Sequence, residues 1–237
     1  PLPGLLGLLQ RNEYTRYSRE IARRSGRVFV LTGTASVFRA ESLRAVAQAR
    51  GVCLPGGSGQ VYDTSSLTED NELTIALKSL GAPMRSPRGC SVVTELMPTW
   101  RNLWRQRLRW QRGALENVAA YGITTATARY WAQQVGIGYG AIALYSYLFL
   151  MTVTLLAADQ LVLFVFWCVL GLVFVAERTI TVWKGGWRAR LLAALIVPEL
   201  LYAAFLQAVF VRGLMDILVA RRASWGHVQH TVGGATA

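Results

Sequence analysis

The sequence predicts an α/β region followed by interfacial and transmembrane α-helices. Three observations predict it. Short apolar runs alternate with amphipathic helical spacing over residues 1–98, tryptophans and arginines fall on separate stripes over 99–119, and long uncharged runs fill much of 136–220. The 237 residues are 53% hydrophobic and the mean hydropathy is +0.32, high for a chain that must present polar groups to water. The expected organisation is an α/β region over 1–98, amphipathic interfacial helices over 99–135, a transmembrane region over 136–220 and a tail over 221–237.

Residues 5–25 read as a polar, arginine-bearing helix or surface segment. Residues 28–31 (VFVL) have the pattern of a buried strand and run into the turn Thr32-Gly33-Thr34. Over 41–50, Leu43, Val46 and Ala47 recur at helical spacing, and Gly51 is placed to end the helix. Pro55-Gly56-Gly57-Ser58-Gly59 is loop chemistry. Ser66-Leu67-Thr68-Glu69 has capping-box spacing, and the helix after it puts Leu73, Ala76, Leu77 and Leu80 on one face before Gly81. Residues 90–95 (CSVVTE) supply a second candidate strand. Strands alternating with helices at this spacing predict the α/β layer.

Over 99–119, Trp100, Trp104, Leu108, Leu115 and Val118 fall near one stripe, and Arg101, Arg105, Arg109 and Arg112 along another. That profile fits a helix lying on a membrane surface, and also a basic amphipathic helix packed on a soluble core. Residues 137–157 form a 21-residue uncharged run, long enough to cross about 30 Å of hydrocarbon. A second run covers 161–176, and a third covers 191–211, interrupted by Pro198-Glu199. Arg178, Lys184, Arg188 and Arg190 place the linker between them on the cytoplasmic side. Arg212, Arg221 and Arg222 favour the same side for the C-terminus. A break at Pro198, giving a re-entrant or interfacial element, would reconcile the two.

The net charge is +12, and Lys78 and Lys184 are the only lysines. Basic residues beside apolar spans read as anchors to a lipid bilayer, and nucleic acid is not an expected partner. Cys53, Cys90 and Cys168 lack metal-ligand spacing and read as buried or incidental thiols. His227 and His230, the only histidines, do not suggest a zinc site. No signal peptide pattern is present, and sequence upstream of Pro1 is expected because the chain opens without an initiator methionine.

Two stretches carry chemistry. Glu69 and Asp70 start a helix after a polar loop. A carboxylate held there by a rigid element suits removal of a proton from an attacking hydroxyl. Complementing the helix dipole, worth about 0.3–1 kcal/mol each, accounts for the same residues. In the second stretch, Gln106, Arg109, Trp110 and Gly113 share one helical face. An amide, a guanidinium and an indole there suit a phosphate-bearing sugar donor and a sugar ring, with Gly113 leaving room for close approach. Membrane anchoring accounts for Arg109 and Trp110 equally.

Thr68-Glu69-Asp70 is similar to the TED motif, and Gln106 to Trp110 to the QxxRW motif, of the processive, membrane-embedded family 2 glycosyltransferases of GT-A type. These include cellulose, hyaluronan, chitin-oligosaccharide and poly-N-acetylglucosamine synthases. The order of the motifs, their separation of about 35 residues and the apolar runs that follow all agree with that family. The resemblance implies the second half of a GT-A domain, joined to membrane helices. It implies inverting transfer from a UDP-sugar, with N-acetylglucosamine favoured, to a growing glycan acceptor. Asp70 would be the general base with Glu69 beside it, and Gln106 and Arg109 would hold the nucleotide diphosphate. Trp110, Gly33, Thr34 and Thr68 would face the acceptor, and Trp225-Gly226 resembles the start of a gating loop. The enzyme would be multi-pass in the cell inner membrane, with its catalytic part cytoplasmic.

The resemblance covers most of this chain but about half of such an enzyme. No DxD motif is present, because Asp63, Asp70, Asp159 and Asp216 are isolated. The divalent cation (Mg2+ or Mn2+) expected for the intact enzyme would therefore be bound by an N-terminal half, and this chain alone would be inactive. Two alternatives stand beside that reading. One is a non-catalytic membrane subunit that docks a partner or anionic lipid, the other a non-processive transferase to a lipid-linked acceptor.

Overall fold

The computed structural model describes residues 4–87, 89–90, 92–157 and 165–221. Among these the chain forms α1 (Leu5–Arg23), α2 (Ala40–Ala49), α3 (Glu69–Ser79), α4 (Trp100–Tyr121), α5 (Ala128–Ala157) and α6 (Val165–Thr181). A short 3-10 turn, Trp183–Gly185, leads to α7 (Trp187–Ala194) and α8 (Val197–Leu218).

The described residues contain no β-strand, which corrects the expectation of an α/β GT-A domain. The two expected strands fail for a physical reason. A strand needs a neighbour's N–H and C=O groups, but at 28–31 side chains of α3 take that place. The Leu31 N–H donates to Thr74 Oγ1 at 2.9 Å, and Lys78 Nζ donates to the Val28 and Phe29 carbonyls at 3.1 and 2.8 Å. In the second stretch Val92 and Val93 are exposed, with no layer to pack against. Backbone pairing among the described residues is limited to isolated bridges, Arg27 with Arg85 and Arg50 with Leu54.

The helix α3 is the centre of the first core, buried on every side from residue 71 to 77. Leu73, Ala76 and Leu77 meet Val46 of α2 and Leu54, while Ile75 meets Val118 of α4 and Tyr130 of α5. A helix buried all round has no solvent face for a charge, so Glu72 is matched inside the core. Arg50 donates to both of its carboxylate oxygens, at 2.8 and 2.7 Å, and the Tyr121 hydroxyl donates to it as well. The same guanidinium donates to the Pro55 and Val61 carbonyls, which pins the loop after α2. The expected capping box does not form. Thr68 is the N-cap without a side-chain cap bond, and the Ser66 hydroxyl accepts from the Thr68 N–H instead.

A second core joins Leu9 of α1, Leu103 of α4, Leu192 of α7 and Tyr202 of α8. Polar groups of α1 tie it to the helices around it: buried Asn12 donates to the Ala189 carbonyl at 3.2 Å, and Arg16 grips both oxygens of Glu199 on α8 at 2.7 and 2.8 Å. On α4, Trp100 and Trp104 pack edge-on against Phe205 of α8, with ring centroids 5.1 and 5.5 Å apart. Protein thus covers part of the stripe that the sequence assigns to lipid.

The helices α5 and α8 are long and apolar enough to cross a membrane. Only 6% of the most apolar stretch of α5 is buried, which is not the profile of a core helix in a soluble domain. The start of the second apolar run lies outside the described residues; from Val165 it is α6. The third run breaks between α7 and α8, where Ile196 takes φ 43° and Pro198 sits in the first turn of α8, a position proline favours.

Candidate active site

The N-terminus of α3 opens on a cavity of about 460 Å³, walled by Gly33, Ser36, Tyr62, Asp63, Glu69 and Asp70 among others. The wall forms because Thr74 and Lys78 of α3 hold the 28–31 segment, which carries Gly33 onto the first turn of the helix. A methyl group added at Gly33 would lie 3.5 Å from Asp70 Oδ2, so the loop backbone packs directly on the carboxylate. The Asn71 N–H donates to Asp70 Oδ1 at 2.7 Å. Burial pushes the Asp70 carboxyl above its ordinary value; the Asn71 N–H opposes that rise and the Glu69 charge adds to it. Glu69 itself is exposed at the rim. The cavity thus presents three carboxylates: Asp70 half-buried, Asp63 partly buried and accepting from the Ser65 N–H and hydroxyl, and Glu69 exposed.

Thr68 faces away from the cavity and towards α4. Asn117 Nδ2 donates to its Oγ1 at 3.1 Å, to its carbonyl at 3.2 Å and to Asn71 Oδ1 at 3.1 Å, and the Ser66 hydroxyl donates to Asn117 Oδ1 at 2.9 Å. A methyl group at Gly113 would fall 2.8 Å from Thr68 Cγ2, so Gly113 is where α4 touches the start of α3. The closeness expected at Gly113 is therefore filled by Thr68.

Gln106, Arg109 and Trp110 lie on α4 N-terminal to that contact and are not among the cavity's lining residues. Arg109 is one turn, roughly 6 Å along the axis, from Gly113. Gln106 Oε1 is buried without a hydrogen-bond partner among the described residues. Trp110 lies under the Arg107 guanidinium, 4.6 Å from ring centroid to Cζ, and Arg107 donates to Glu13 Oε2 at 2.9 Å. The structure therefore brings Gly33, Glu69 and Asp70 to one cavity and ties Thr68 to α4. It leaves the QxxRW side chains on the same helix but outside that cavity. Thr34 is exposed on the loop beside Gly33 and is not a lining residue, and Trp225 and Gly226 lie outside the described residues.

The family model described as glycosyl transferase family group 2 matches residues 9–177. The chain belongs to this family. No curated protein and no solved structure matches it. Glycosyl transfer, from a nucleotide-sugar donor to an acceptor, is the activity class of family 2. The matched stretch runs from α1 into α6 and contains the cavity, α3 and the whole of α4.

In this family 2 transferase no group of three or more His, Cys, Asp or Glu side chains among the described residues could hold a metal ion. These residues do not fit a divalent-cation site. Sequence reading missed Asn117 and the Arg50–Glu72 pair. Glu72 had a visible signal, because it falls four residues before Ala76 on the apolar face of a helix. An acid there needs a buried partner. Asn117 had none, since an amide in a polar helix looks like any solvated side chain.

Proposed function

We propose that this chain carries the acceptor side and general base of an inverting, membrane-embedded family 2 glycosyltransferase. In this reading it elongates a glycan from a UDP-sugar, with UDP-N-acetylglucosamine the first donor to try. The observation that supports the reading most is the pairing of Asp70 with Gly33 in one cavity. The carboxylate there is buried enough to hold its proton more tightly than a surface carboxylate, and is fixed at a helix start. A base of raised pKa is a better match for an alcohol proton near neutral pH.

In the reaction, the acceptor hydroxyl oxygen attacks the anomeric carbon as Asp70 takes its proton. The bond from that carbon to the UDP oxygen breaks, its electron pair leaves with UDP, and the anomeric configuration inverts. Gln106 and Arg109 hold the departing diphosphate, where a guanidinium offsets developing charge. Trp110 offers its face to the acceptor sugar. Glu69, Gly33 and Thr34 border the acceptor, with Thr68 fixing the base through Asn117. The apolar helices α5, α6 and α8 anchor the enzyme in the inner membrane in several passes, with the catalytic part cytoplasmic. Family membership favours this transferase over a non-catalytic docking subunit.

The test is transfer by the full-length enzyme in membranes. Asp70→Asn is expected to abolish turnover while leaving UDP inhibition unchanged, and Arg109→Ala to weaken UDP inhibition. Wild-type turnover in Asp70→Asn removes the base assignment, and unchanged inhibition in Arg109→Ala removes the phosphate role.

A further inference from the structure

A second cavity, of about 290 Å³, lies between the C-terminal end of α1 and the first turns of α5. Its polar lining is Tyr17, Arg24, Arg27, Arg129 and Gln133, and Glu20 is the one carboxylate among its described lining residues. Three guanidinium groups against one acid leave the cavity with an excess of positive charge, even with Arg24 paired to Glu20. Arg129 is oriented by the ring of Phe29, 5.2 Å from its Cζ. Lys78 Nζ lies over the same ring, 5.3 Å from its centroid. Burial, with the Arg129 charge adding to it, lowers the Lys78 ammonium to about 8. The smaller part of that lowering comes from the Arg129 charge, which an anion in the cavity would offset.

The place of the cavity says which anion. Arg129 and Gln133 precede the uncharged run that begins at Ile137 by eight and four residues, or roughly 12 and 6 Å along the helix. With 137–157 in hydrocarbon, the cavity opens at headgroup depth. Arginine forks there match phosphate oxygens, and basic pockets beside membrane helices are headgroup sites.

We propose that this cavity binds the phosphate headgroup of an anionic membrane lipid, through Arg24, Arg27 and Arg129. The proposal rests on the reading of α5 as a membrane helix. The experiment uses the full-length enzyme in nanodiscs of phosphatidylcholine with a minor fraction of phosphatidylglycerol, and measures lipid retained after purification by native mass spectrometry. Wild type is expected to retain phosphatidylglycerol selectively. The Arg27→Gln/Arg129→Gln pair is expected to lose about thirtyfold in apparent affinity. The Arg27→Lys/Arg129→Lys pair is expected to keep most of the selectivity and serves as the folded control. Equal retention by the glutamine pair and wild type overturns the site. Displacement by inorganic phosphate as effective as by added phosphatidylglycerol overturns the lipid assignment and leaves a soluble phosphate site. Release of the enzyme from membranes by alkaline carbonate, tested first, overturns the membrane reading itself and is distinguishable from either result.

Discussion

Asp70 is half-buried against Gly33, and burial is the main reason its carboxyl holds its proton more tightly than usual. The base works only when ionised. Turnover is therefore expected to fall, as pH is lowered, at a value above the ordinary aspartate range of about 4, read from the acid limb of kcat/KM. The sign for stability is the opposite. The folded state binds a proton more tightly than the unfolded one, so the Asp70 contribution is fully present below the unfolded pKa and lost as pH rises through the raised folded value. Asp70→Asn is accordingly expected to raise Tm at neutral pH while removing activity; a lower Tm would show that the Asn71 N–H bond outweighs burial. Arg50 and Glu72 test burial from another side, with both side chains almost fully enclosed. Burial and the Glu72 carboxylate keep the Tyr121 phenol protonated, so it serves Glu72 as a donor. Arg50→Met leaves that carboxylate without its partner and is expected to cost about 3–5 kcal/mol in denaturant unfolding. Arg50→Met with Glu72→Leu should recover much of the loss.

At the scale of elements, the contact that organises the site is α4 on the start of α3. Thr68 is β-branched and hydrogen-bonded to Asn117, so it cannot swing aside for a side chain at Gly113. Gly113→Ala is expected to destabilise by about 1–3 kcal/mol and to slow turnover by displacing the first turn of α3. Thermal unfolding and kcat check this, and Thr68→Ala in the same background should recover part of the stability. One helix thus carries the carboxylate, and the other holds the start of that helix by Asn117.

Over the whole molecule, the described residues include two cores that hold α1 and α3 in place. The first encloses α3, and the second clamps α1 among α4, α7 and α8, with Glu199 joined to Arg16 at 2.7 Å and to Arg178 at 3.7 Å. Away from both cores α5 leaves Ile142 and Leu156 exposed, at 70% and 83%. Such surface needs lipid or protein cover. With Ile142→Cys in a cysteine-free full-length enzyme, a membrane-impermeant maleimide is expected to label slowly in intact membranes and rapidly after detergent extraction. Rapid labelling in intact membranes would place that face in water.

Much of this was legible in the chain. The α4 helix, the apolar run of α5 and the break before Pro198 are local patterns, and a helix closes its hydrogen bonds within its own segment. The Thr68-Glu69-Asp70 and Gln106-to-Trp110 motifs, being short and ordered, marked the family for the same reason. A strand is different, because its hydrogen bonds belong to a neighbour that sequence periodicity does not name. Residues 28–31 have strand-like spacing, yet only the fold shows that Thr74 and Lys78 take their backbone groups. Tertiary structure alone also decided that Arg50 meets Glu72, that Asn117 holds Thr68 and that Gly33 backs Asp70. Each of these depends on which distant group arrives at a buried polar atom, and burial makes that match obligatory without stating in the sequence who the partner is.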